Sequence, residues 1–230
     1  LSLDDLYLPR ADRERLAADV HPLLRTRGVP GTHDPALGLS LVESLARPGA
    51  TVVPRFDKAT DERAPPDAWL SVAGPVDVIL FEGWCVGARP QPAAALEPPI
   101  NALEREQDPN RVWRRFVNTA LATTYRPLFE RIDMLALLAA PRFDVVFDWR
   151  LQQEQALRAA RGADAGMSDA ELATFVQHYE RLTRHILAEM PARADVVAQL
   201  GPEREVLSVR FRHAPNPSSP AGAKRNAGDP

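Results

Sequence analysis

Residues 76–81 (VDVILF) constrain this chain more than any other stretch. Apolar side chains fill nearly every position, and Glu82-Gly83 closes the run. A strand with one wet face alternates apolar with polar; a run that is apolar throughout predicts a parallel strand covered on both faces. Such a strand needs helices on both sides of its sheet, and the rest of the chain supplies them. Helical spacing predicts helices over 10–25 (interrupted by Pro22), over 35–46 with Leu37, Leu41 and Leu45 on one stripe, over 109–131 with a kink or end at Pro127, and over 143–161. After a break at 162–166, Ser168 with Glu171 three residues later marks a capping box, and a helix should run from there to about residue 190. Strands are expected at 1–3, 51–54, 132–139, 195–200 and 205–209. This alternation predicts one α/β domain over 1–212, a mostly parallel sheet with helices on both faces. From His213 to the last residue, Pro230, the composition turns to Pro, Ser, Ala, Gly and Lys/Arg, which predicts a disordered tail.

Composition narrows the function classes. Hydrophobic residues make up 45% of the 230 and charged residues 26%, as in ordinary globular proteins. A net charge of -3 supplies no basic field for nucleic acid. No apolar run approaches the roughly 20 residues that span a bilayer, so no membrane partner is expected. The single cysteine, Cys85, excludes an internal disulfide and fits a reducing compartment, and a cytoplasmic location is expected. Arginine is used almost to the exclusion of lysine, which reads as the coding bias of a GC-rich bacterial genome. Only Lys58 and Lys224 occur, so any role ahead of the tail that needs a compact ammonium falls to Lys58.

In parallel sheets, ligands bind off the carboxyl ends of the strands. Asp4-Asp5, the 55–63 loop and Glu82 all follow expected strands and should converge on one edge. Asp4 or Asp5 there suits a general base, or, more plainly, a turn or helix cap. Glu82 ends an apolar strand as a Walker-B acid does, a position from which a carboxylate holds Mg²⁺ or its water. Arg55, Lys58 and Arg63 form either an anion clamp or a solvated charged loop. Thr32, His33 and Asp34 tip a Gly/Pro loop over 27–34, where Asp34 also suits a helix cap. Arg150 stands where a lid would carry a cation to a transferring group, or on an ordinary amphipathic helix. Cys85, with no partner motif, reads as a buried thiol.

In order, LSLDDLYLP, RGVPGTHD, PRFDKATDERAPP, VDVILFEGWCVGARP, PPINALERE, APRFDVVFDWRLQQE, FVQHYERLTRHI and EMPARADVV resemble D-glycerate 3-kinases, over nearly all of residues 1–200. These kinases share a P-loop group with uridine kinase, phosphoribulokinase and the bacterial-type pantothenate kinase. The resemblance implies transfer of the ATP γ-phosphoryl group to a hydroxyl of a small hydroxy acid, with ATP and Mg²⁺ as cofactors. It implies Asp4, or else Asp5, as base, Glu82 as the acid near Mg²⁺, and Arg150 as a lid cation near the nucleotide. Tyr7, Thr32, His33, Asp34, Arg55, Lys58 and Arg63 would face the acceptor. The family pattern also has a strand, a G-x-x-x-x-G-K-[ST] loop and a helix ahead of LDDLY. Here the given residues open on LSLDDLY, and Gly222-Ala223-Lys224 lies in the tail. The expectation is therefore a P-loop NTPase-like fold lacking its first strand and phosphate loop, inactive as it stands. The alternatives are a kinase of the same group for a nucleoside or pantothenate, and a non-catalytic remnant.

Overall fold

The structure, a computed structural model, describes residues 1–161 and 166–212. The expected tail at 213–230 and residues 162–165 of the expected break lie outside them. The chain opens with a single 3-10 turn, Leu3–Leu6, capped by the Ser2 hydroxyl. Helix α1 (Arg10–Asp19) stops before Pro22, whose ring cannot continue it, and Pro22–Arg25 forms a separate 3-10 turn. Helix α2 (Pro35–Leu45) starts on Asp34, whose side chain accepts from Leu37 N, with Pro35 in the first helical position.

The chain then forms two small antiparallel ladders, of which only one strand, at 51–54, was expected. Strand β1 (Gly49–Val53) pairs with β4 (Leu70–Gly74), and between them β2 (Phe56–Asp57) pairs with β3 (Glu62–Arg63). The charged loop of the sequence reading is thus folded into a short hairpin. Helix α3 (Ala102–Gln107) precedes α4 (Val112–Ala122) and the single turn α5 (Arg126–Phe129). The expected long helix over 109–131 is therefore broken after Ala122, one turn ahead of Pro127. Strand β5 (Ala136–Ala139) leads into α6 (Asp144–Arg161) and α7 (Asp169–Glu189), the latter begun by both halves of the Ser168–Glu171 capping box. Strands β6 (Val196–Leu200) and β7 (Val206–Phe211) close the described chain; β5 pairs parallel with β6, and β6 antiparallel with β7.

The main core joins these pieces. Leu182, Ile186 and Met190 of α7 pack with Leu3, Leu6, Cys85, Tyr125, Leu137 and Val197. Buried ion pairs brace the helices: Arg181 bonds Glu104 through two nitrogens at 2.6 Å, and Arg114 bonds Asp108 at 3.0 Å.

Residues 76–81 differ from expectation. They are extended, and only their two ends are paired: Val76 N–H donates to Leu45 O at the start, and at the far end Leu3 N–H donates to Glu82 O, Glu82 N–H to Leu1 O, and Leu1 N to Leu80 O. Ser2 and Glu82 form a parallel bridge, all that remains of the strand expected at 1–3. The alternating backbone groups, at Ile79 and Phe81, face away from the chain start and meet no partner among the described residues. Strand β5 lies at the edge of its sheet in the same way. Phe81 and Leu137 turn toward the core. Val78 (82% exposed), Leu80 (78%), Met134 (70%) and Leu138 (70%) stay bare, with Val209 and Phe211 of β7 exposed beyond them. Both expected faces of the strand are apolar, but only one is covered.

Candidate active site

The Ser2–Glu82 bridge puts Asp4, Asp5 and Glu82 at one end of the extended segments, and the β2–β3 hairpin folds onto the same end. Phe56 N and Arg55 Nη1 both donate to Asp5, at 3.0 Å each, which staples the hairpin to the opening 3-10 turn. Asp5 is thus committed to structure, with Arg55 as its partner, and is not free to serve as a base.

Asp4 is held differently. Tyr7 Oη donates to its Oδ1 at 2.8 Å and Lys58 Nζ to its Oδ2 at 2.6 Å. Burial alone would push this carboxyl up; the bonds from Lys58 and Tyr7 outweigh it and leave the group below the usual carboxylate range. Tyr7 is pushed far upward by burial and by the Asp4 charge, so it remains a hydroxyl donor. Lys58 sits on the exposed hairpin tip, while Tyr7 is buried. Around them, Arg27 lies over the Tyr7 and Phe56 rings and pairs with Asp61, which also takes Arg13 at 2.9 Å.

The 27–34 loop supports this cluster from below. Gly28 and Gly31 take left-handed backbone angles, φ +130° and +102°, and a Cβ on either would run into the ring of Tyr179 or Phe116. Thr32 is fully buried; its hydroxyl accepts from Gly28 N and donates to Val29 O. It shapes the loop and does not face an acceptor, a correction to its expected role. Asp34 caps α2, with its other oxygen 4.0 Å from Arg63. Arg63 also donates to Tyr7 O, and its buried Nε has no partner among the described residues. His33 stacks on Tyr7, ring centroids 4.5 Å apart, and its Nδ1 lies 2.6 Å from Tyr125 Oη. Nothing in the local sequence marks Tyr125, which lies 92 residues from His33.

The Glu82 carboxylate is exposed and meets no protein group among the described residues. Arg150 does not join the cluster. It pairs with Glu154 one turn along its own helix at 2.6 Å and lies over Phe175, with its Nε buried and unpartnered. Among the described residues, no group of three or more His, Cys, Asp and Glu side chains is placed to cage a metal.

The chain as a whole is similar to known kinases. The chain is 34% identical over 189 residues to an uncharacterized kinase of Schizosaccharomyces pombe, spanning 77% of this chain and 66% of that one. It is 32% identical over 231 residues to the chloroplastic D-glycerate 3-kinase of Arabidopsis thaliana, spanning 94% of this chain and 46% of that one. The D-glycerate 3-kinase structure from Cryptococcus neoformans superposes with a TM-score of 0.75 at 25% identity, over 92% of this chain and 78% of that one. The chain belongs with the D-glycerate 3-kinase-like kinases. No protein-family model matches it. The chain spans less than two thirds of the length of the curated relatives it matches. These D-glycerate 3-kinase-like relatives are fungal and plant proteins, so they give the bacterial origin suggested by arginine usage no support.

Proposed function

We propose that this chain carries the acceptor-binding and proton-accepting half of an ATP-dependent kinase acting on a small hydroxy acid, D-glycerate first among them. The observation that carries the reading is the Asp4 carboxylate, held between a buried Tyr7 donor and an exposed Lys58, on the same strand end as an open Glu82. Arg55, Arg27 and Arg63 are each engaged by the protein: by Asp5, by Asp61, and by Tyr7 O with Asp34 nearby. Lys58 and Arg55 are both exposed, but Arg55 shares Asp5 with Phe56 N in the hairpin staple, so Lys58 is the cation an acceptor can draw away without loosening the hairpin. An acceptor that brings its own carboxylate takes the Lys58 ammonium and uncovers Asp4 Oδ2, which then accepts the proton of the acceptor hydroxyl. A nucleoside has no carboxylate to make that exchange, which favours an acid as acceptor.

Bound ATP supplies the γ-phosphoryl group. Glu82 fits a Mg²⁺ site of the kind completed by one or two carboxylates and substrate phosphates. No G-x-x-x-x-G-K-[ST] run lies within these 230 residues. The open edges at 76–81 and at β5, with the bare apolar face across Val78, Leu80, Leu138 and Phe211, suit one further strand and a covering helix. A strand, phosphate loop and helix seated there would bring the phosphates beside Glu82. We place the protein in the cytoplasm, as its one buried cysteine, Cys85, suits a reducing compartment.

The test compares the 230-residue chain with a version extended ahead of Leu1 by a strand, a G-x-x-x-x-G-K-[ST] loop and a helix. The extended protein should phosphorylate D-glycerate from ATP and the shorter chain should not. Equal activity in both would refute the division of labour. Transfer to a neutral alcohol in preference to D-glycerate would refute the acceptor class.

A further inference from the structure

The 27–34 loop reaches the Asp4 cluster through one ring whose protonation the structure determines. Tyr125 is completely buried, and its hydroxyl meets Gly31 N at 3.0 Å, the backbone N–H of His33, and His33 Nδ1 at 2.6 Å. The two backbone N–H groups can only donate, so they take lone pairs of the phenol oxygen. The phenol proton then has one acceptor within reach, His33 Nδ1; pointed elsewhere, it would be a buried donor without a partner, a costly arrangement. Nδ1 therefore carries a lone pair, and the neutral ring carries its hydrogen on Nε2.

Nε2 has no hydrogen-bond partner among the described residues. Unlike Nε2 of His178, it is not sealed from the surface. The ring lies nearly parallel to that of Tyr7, at 21°, and Tyr7 ends on Asp4. The charge acting on His33 is that of Asp4, which favours the protonated ring, but burial dominates and drives the imidazole down to about 3. His33 is a neutral single donor beside the carboxylate that faces the acceptor.

We propose that His33, held as the Nε2–H tautomer by Tyr125, donates a hydrogen bond to an oxygen of the acceptor substrate, which makes Tyr125 a positioning residue. The inference rests on the acceptor reading above. It adds a geometric demand: the acceptor presents a hydroxyl to Asp4 and a second oxygen to His33, as a compact 2,3-dihydroxy acid does and a simple alcohol does not.

Nitrogen NMR of the histidine-labelled chain tests it without any substitution. The His33 ring should show Nε2 protonated and Nδ1 bare, unchanged from pH 5 to 8, and added D-glycerate should shift the Nε2–H resonance. Tyr125→Phe should mix the tautomers and weaken D-glycerate binding about tenfold, the scale of one hydrogen bond to a charged partner. An Nδ1–H ring, or a ring that titrates between pH 5 and 8, overturns the proposal. So does D-glycerate that shifts the amides of Asp4 and Asp34 but leaves the His33 ring unmoved; in that case the acceptor reading survives. If D-glycerate and other small hydroxy acids shift nothing in the site while the tautomer is as stated, the acceptor reading fails and the donor role fails with it.

Discussion

Lys58 Nζ lies 2.6 Å from Asp4 Oδ2, while Tyr7 holds the other oxygen of that carboxylate at 2.8 Å. One partner is exposed and the other buried, so the two bonds differ in how easily they are exchanged. Replacing Lys58 by Met removes a bond and a charge that favour the ionised form. Asp4 in the Lys58→Met protein should therefore titrate at higher pH than in the parent. Carbon NMR of the side-chain carboxyl reads this directly, and an unmoved Asp4 titration would show that Lys58 does not hold it in solution.

In the version extended by a phosphate loop, Asp4→Asn should lower turnover by about a hundredfold or more, the usual contribution of a positioned base. KM for the acceptor should change far less, because the Asn side chain keeps the shape and can still accept from Tyr7. Asp5→Asn should act mainly through stability, since Asp5 staples the hairpin through Arg55 and Phe56 N. Near-parental turnover in Asp4→Asn would remove Asp4 from the base role.

The sequence made the local devices legible and the long-range ones not. The Ser168–Glu171 capping box and the Asp34 cap are settled within a few residues, and both appear as read. The 76–81 run showed that the segment is extended and apolar, but burial depends on neighbours, and the described chain covers only one face. Asp4 and Asp5 looked equivalent, two acids after a strand; what separates them is the hairpin 50 residues later, which takes Asp5 for itself. Thr32 looked like a polar tip because a hydroxyl beside glycines can point either way, and here it satisfies the loop's own backbone. Tyr125 carried no signal at all, since its partner lies far away in the chain.

Stability should fall as pH drops through the histidine range. His33 is depressed from 6.5 to about 3 by burial, so between those values the unfolded chain binds a proton that the folded chain does not. Stability is then complete above about pH 6.5 and is lost progressively toward pH 3, by on the order of a few kcal/mol. His178 and His185, also lowered by burial, act in the same direction. The depressed carboxyls, Asp4, Asp61 and Glu189 among them, lose their contribution only below the ordinary carboxylate values, so the window from pH 5 to 6.5 isolates the imidazoles. Urea unfolding at pH 5 and pH 7 should show the slope, and His33→Gln should flatten it. The same slope in parent and variant would mean that His33 is not buried as a neutral ring.

The pair between Arg181 and Glu104 should matter more to folding than any surface ion pair in the molecule. Glu104 is fully buried and Arg181 nearly so; Arg181 bonds both carboxylate oxygens at 2.6 Å and also donates to Ala95 O and Pro98 O, tying α3, the Pro-rich loop and α7 together. Arg181→Met strands a buried carboxylate and two carbonyls, and should cost about 3–5 kcal/mol. Glu104→Gln combined with Arg181→Met should cost less than the sum of the two single changes, because the double variant leaves no buried charge unpaired. Arg131→Ala, which breaks an exposed pair with Glu43, should stay within about 0.5 kcal/mol of the parent. Urea midpoints of the parent and the four variants measure these differences. If Arg181→Met and Arg131→Ala unfold at the same midpoint, the buried pair is not what holds α7 to the loop, and the apolar core around Leu182 and Ile186 must do so alone.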